Sequence, residues 1–182
     1  MATDLTGLQA TVTMSVKIKA KKAGDHGDAT YSPDISFSET FAFGDGDGQA
    51  DMFWSDQRTL AFGATDAIDL YGALSTPLSP VVSFDKVKCI IVWNRSDEAG
   101  VHAGHAVATD AQITVGGAAA NEFVGPFDTA GDAVKIEAGN AHAFINKGDG
   151  WACAAGSDIL NVVNNDGADQ ALFDIIVFGV SD

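Results

Sequence analysis

The stretch Thr11-Val-Thr-Met-Ser-Val-Lys-Ile-Lys19 decides the fold class. Val12, Met14, Val16 and Ile18 alternate with Thr11, Thr13, Ser15, Lys17 and Lys19. In an extended chain the two sets fall on opposite faces, so this period of two predicts a β-strand with one wet face. A loop from Lys21 to Pro33 follows, carrying Gly24, Asp25, Gly27 and Asp28. A second alternating run then sets Ile35, Phe37, Phe41 and Phe43 against Ser36, Ser38, Thr40 and Ala42, and Gly44-Asp-Gly-Asp-Gly48 stops it.

From residue 56 onward, short β-like runs recur at 58–62, 67–71, 81–93, 112–115, 134–137, 142–146, 159–163 and 171–178. In the longest, Val87, Cys89, Ile91 and Trp93 are expected to share an inner face. Gly116-Gly117, Gly139-Asn140, Gly148-Asp149-Gly150 and Asn164-Asn165-Asp166-Gly167 separate the later runs. These residue types tolerate the positive φ of tight hairpin turns. The nearest approach to an amphipathic helix is 64–74, where Ile68 and Leu70 suit a strand equally well. No repeat of fixed period is present. The pattern predicts an all-β chain of about ten short strands, a two-sheet β-sandwich of jelly-roll type, with a closed barrel as the alternative. A single domain over 1–182 is expected, with 1–48 as an N-terminal strand pair able to extend to a neighbour.

The formal charge is −15, which repels phosphates and argues against nucleic acid as a partner. Residues 1–22 hold Lys17, Lys19, Lys21 and Lys22 against Asp4, a net of +3, leaving −18 on the other 160. A basic end meeting an acidic face of another subunit is one reading; lysines on the wet side of an edge strand is the other. Cys89 and Cys153 stand in apolar stretches and are expected to be free thiols. There is no positive-then-apolar leader and no apolar run near 18 residues, so neither export nor a membrane span is expected.

Chemistry-bearing motifs are incomplete. His102 and His105, with Asp97, Glu98 or Asp110, fall short of the three or four converging ligands that zinc requires. Asp45, Asp47 and Asp51 resemble the start of a calcium loop, but Asp56 stands where a bidentate Glu belongs. Nucleophile elbow, phosphate loop and dinucleotide fingerprint are missing. His102, His105 and His142 lack the spacing of a metal-dependent cupin-type enzyme. No enzyme activity, cofactor or metal is expected.

An ordered series of motifs carries a resemblance. It comprises Trp54-Ser-Asp-Gln-Arg-Thr-Leu60, Ala67-Ile-Asp-Leu70, Phe84-Asp-Lys-Val-Lys88, Val115-Gly-Gly-Ala-Ala-Ala-Asn121, Phe123-Val-Gly-Pro-Phe127, Gly150-Trp151, Gly156-Ser-Asp-Ile-Leu160 and Phe173-Asp-Ile-Ile-Val-Phe-Gly179. Together these resemble small structural proteins of tailed bacteriophages and prophages, best over about 50–182. The resemblance implies a virion component and is compatible with a capsid cement or decoration protein. Such a protein would be made in the host cytoplasm, sit on the capsid surface and bind the major capsid protein as a homo-oligomer, a trimer being favoured. Lys17, Lys19, Lys21 and Lys22, with the apolar loop residues Phe123, Val124 and Phe127, are the expected contacts. A tail or fibre component, or a jelly-roll module binding a glycan or receptor, is the alternative.

Overall fold

The computed structural model describes residues 7–17, 19–22, 29–72, 74–75, 81–97, 110–118 and 120–181. Among them there is no helix. The strands are β1 (Ala10–Lys17), β2 (Ala20–Lys22), β3 (Ala29–Tyr31), β4 (Asp34–Phe43), β5 (Gln49–Ala50), β6 (Met52–Leu60), β7 (Thr65–Asp69), β8 (Lys86–Asn94), β9 (Ile113–Gly116), β10 (Ala133–Ile136), β11 (Ala141–Ile145), β12 (Trp151–Ala152), β13 (Ile159–Asn164) and β14 (Ala171–Val180).

Two sheets form the body. One runs β11-β8-β14-β6, with β12 paired to the start of β8, and the other runs β10-β9-β13-β7. Leaving out β12, the eight body strands pair first with last: β6 with β14, β7 with β13, β8 with β11 and β9 with β10, all antiparallel. Two further antiparallel pairings, β14 with β8 and β13 with β9, complete the sheets.

Alternation explains why both sheets share one core. Along β13, Leu160 and Val162 are wholly buried between half-buried neighbours; along β14, Phe173, Ile175 and Val177 are wholly buried. They meet Trp54, Ile68, Val87, Ile90, Val92, Ile113, Val115 and Ile136 in one cluster drawn from both sheets. Non-directional burial of this kind is the main favourable term in folding.

Buried amides tie the layers together. Asn94, at the end of β8, donates through Nδ2 to the carbonyls of Ala111 (2.8 Å) and Ile136 (3.0 Å) and accepts from the Ser96 hydroxyl at 2.6 Å. Asn164 likewise donates to Leu60, Ala61 and Asp169 carbonyls. Asn94→Leu would keep the volume and orphan two buried carbonyls, at an expected loss of about 2–4 kcal/mol. Thermal unfolding should register that as a fall of roughly 5–15 °C; an unchanged midpoint would count against this role for the amide.

Two expectations need correction. The chain has more than two sheets: β1-β4-β5 form a three-stranded sheet and β2-β3 a two-stranded ribbon outside the body. Of the two readings open for 64–74, the strand is the one found, as β7. The inner face of β8 is Val87, Ile90, Val92 and Asn94, whereas Cys89 and Ile91 belong to a second cluster and Trp93 is 41% exposed. The cause is a bulge. Phe178 of β14 pairs with Cys89 and Gly179 with Val87, so Lys88 is an extra residue that reverses the parity of the strand. Gly179 permits the close approach there, because a Cβ would collide with the Lys86 carbonyl oxygen.

A candidate interaction surface

Strands β1 and β4 form a ribbon in register from Ala10↔Phe41 to Lys17↔Asp34. Cross-strand partners share a face, so the pairs sort the ribbon's chemistry. One face carries Thr11 with Thr40 (3.2 Å between hydroxyls), Thr13 with Ser38 (3.3 Å), Ser15 with Ser36, and an exposed Lys17–Asp34 ion pair at 3.7 Å. The other carries Ala10 with Phe41, Val12 with Glu39, Met14 with Phe37, and Val16 with Ile35.

Only the root of the apolar face is covered. Ala10, Val12 and Phe41 pack with Ala50 and Cys89 against Ile91, Ile145 and Phe178, on the side of the β8-β14 sheet turned away from the main core. Phe41 stacks on Phe178 with ring centroids 6.2 Å apart. Glu39 then anchors the ribbon to Lys147 at 2.6 Å. The buried Lys88 donates to the Gly46 carbonyl at 3.2 Å and to the Gly148 carbonyl, joining the turn after β4 to the turn after β11. Beyond this root the apolar face is open: Met14 is 51% exposed, Val16 54%, Ile35 62% and Phe37 43%. The alternation thus reads correctly as strand, yet its outer apolar half meets no core among the described residues.

Of the expected contact residues, Lys17 and Lys19 are exposed and Lys21 and Lys22 lie on β2. The loop residues are a correction. Phe123 is wholly buried and Phe127 only 8% exposed, both in the main core, and Val124 is half-buried. Hydrogen bonds hold that loop inward: Phe123 N donates to Ile159 O, and buried Glu122 accepts from Gly117 N and Gly131 N. Its rings serve packing.

Comparison with family models, curated proteins and solved structures finds no match. The surface is therefore read from its own chemistry.

Among the described residues no group of three or more His, Cys, Asp or Glu is arranged to hold a metal. His102, His105 and Glu98 lie outside the described residues. Asp51 is engaged by Ser181, whose N–H donates at 3.0 Å, and burial raises its carboxyl above the usual range. His142 packs at a tilt against Phe144, with ring centroids 5.1 Å apart. An acidic cleft between Asp110, Glu137 and Asp166 lies at one end of the body.

Cys153 belongs to the main core and Cys89 to the second cluster, and both are buried and unpaired. Burial pushes each thiol up to about 12, with Asp158, Asp69 and Asp85 adding to the shift at Cys153. Native protein should therefore resist thiol labelling at pH 8 and react fully once denatured. Unfolded thiols release protons near pH 9 while the folded ones hold theirs. These groups' contribution to stability is therefore complete below pH 9 and lost as pH rises towards 12. Rapid native labelling would contradict the burial.

Proposed function

We propose that this chain is a capsid cement protein of a tailed bacteriophage: a jelly roll that stabilises the head by bridging neighbouring subunits. The jelly-roll reading is supported by strand order. Numbered one to eight in chain order, with β12 left out, the body strands lie 1-8-3-6 in one sheet and 2-7-4-5 in the other. That is the order produced when one long hairpin of paired strands is rolled into a double sheet.

The observation that carries the functional reading is the ribbon β1-β4, which leaves the body with four large apolar side chains half exposed on one face. An isolated two-stranded hairpin is at best marginally stable in water, and open edges invite pairing with other chains. A surface of this kind suits a protein that works in an assembly. The resemblance to phage structural proteins names the assembly. The Thr/Ser/Lys17 face is the side we assign to the major capsid protein, with the exposed Lys19 just beyond its end.

Cementing is thermodynamic work. Each copy adds contacts that must break before capsomers separate, and many equivalent sites make opening cooperative. Cryo-electron microscopy of intact particles, with and without this chain, tests the proposal. Density at regular positions on the head, with heads that rupture at lower temperature when the chain is missing, is the expected result. Density on the tail or fibre would establish the alternative, and absence from particles would end both.

A further inference from the structure

We infer that the open apolar face of the β1-β4 ribbon is filled by a second copy of this chain, each ribbon lying in a trough on the outer sheet face of the next copy. The root of the ribbon already displays the packing mode: Ala10, Val12 and Phe41 cover Cys89, Ile91 and Phe178 on that outer face. The same outer face continues uncovered. Leu8, Ala10, Phe53, Ile176 and Phe178 line a groove beside the root, and through Ser55 and Ile176 it runs on into a second depression at Gln57 and Asp174. Phe53, Ile176 and Phe178 are all half-buried. One molecule thus presents an open apolar ribbon face and an apolar groove that ends in a polar depression at Asp56, Gln57 and Asp174, and the root shows that ribbon and groove are of complementary kinds.

Charge selects the occupant. Over residues 10–43 four lysines are balanced by Asp25, Asp28, Asp34 and Glu39, so the hairpin is neutral. Residues 44–182 hold six cations against twenty carboxylates, a net of −14. Two bodies repel one another, whereas a neutral apolar ribbon approaches an acidic body without that penalty. Area agrees. The four exposed side chains offer on the order of 300 Å². A trough of similar size filled on each copy brings a pair to roughly 1,200 Å², the lower bound for a stable interface. Passing each ribbon to the next copy closes a ring of two or three and leaves neither surface bare.

Sedimentation of the free protein at rising concentration tests this without any capsid, so its outcome is separable from the cement reading. Wild-type protein should form a closed dimer or trimer. Met14→Thr with Phe37→Thr, which keeps strand-forming residues, and Ser55→Arg, which fills the trough from an exposed body position, should each weaken association about tenfold or more. Mixing the two variants should restore one contact per mixed pair and so part of the association, because one supplies the intact trough and the other the intact ribbon. Wild-type protein that stays monomeric throughout would overturn the inference. So would a folded Ser55→Arg variant that associates like wild type, since the ribbon would then be packing elsewhere. If the double threonine variant loses its circular dichroism, the Ser55→Arg result alone decides.

Discussion

On the proposed cement role, replacing residues 14–37 by Asn-Gly is expected to leave a folded β body that does not decorate heads. Thr13 and Ser38 are direct cross-strand partners, and Asn-Gly is the preferred two-residue link between such strands. The shortened chain keeps Ala10, Val12, Glu39 and Phe41, so the second cluster and the Lys147 anchor survive. No described residue of the excised segment belongs to the main core. The melting temperature should move by no more than a few degrees. On that reading occupancy on particles should fall about a hundredfold or more, since the loss would remove apolar contact together with the avidity of the inferred ring. Normal decoration by the shortened chain would move the attachment surface to the body. Unfolding would mean that the ribbon contributes to the core in a way its exposure conceals.

The second large effect is on stability. Phe173 is wholly buried in β14, whose neighbours are β6 and β8, and it pairs with Arg58 on one side and Asn94 on the other. Truncation to alanine opens a cavity between two sheets whose backbones are fixed by hydrogen bonds, so little collapse can refill it. Phe173→Ala should cost about 3–5 kcal/mol and lower the calorimetric midpoint by roughly 10 °C or more. The contrast with Phe37 is diagnostic. Phe37→Ala removes the same ring from a position that is 43% exposed, so the free monomer's midpoint should change little while association weakens.

Much of this architecture is legible in the residues, and the failures have physical causes. Strands β1 and β4 announce themselves by clean alternation, because side chains on successive residues of a strand must point to opposite faces, whereas β13 and β14 read as short apolar runs. The inner face of β8 was not legible, since one extra residue at Lys88 inverts the pattern halfway along and periodicity assumes none. Phe123 and Phe127 sit in a loop without period, where exposure depends on hydrogen bonds to distant Ile159 and to Glu122. The basic character of residues 1–22 is reduced in space, where Asp34 pairs with Lys17. The return strand lays Asp34 and Glu39 beside β1, and a count along the chain cannot anticipate which carboxylates fold back. The Lys88 contacts with Gly46 and Gly148 were equally out of reach, because they join turns 42 and 60 positions away. For the interaction surface, the sequence identified the apolar stripe, and only the structure separates its covered root from its open end.

Strand β14 follows every other strand in chain order, yet it lies in the middle of its sheet, between β8 and β6. Before it is placed, β6 has no partner in that sheet and β8 keeps an unsatisfied edge. Joining Leu60 to Ala171 closes a loop spanning most of the body, and such distant pairings form slowly, over milliseconds to seconds in sandwiches. Folding should therefore pass through a period in which an apolar sheet stands open along its centre, exposed to sticking by other chains. Crowding during synthesis, rather than weakness of the finished fold, is then the main hazard to yield. Slower expression at low temperature should raise the soluble fraction more than any substitution that stabilises the mature protein.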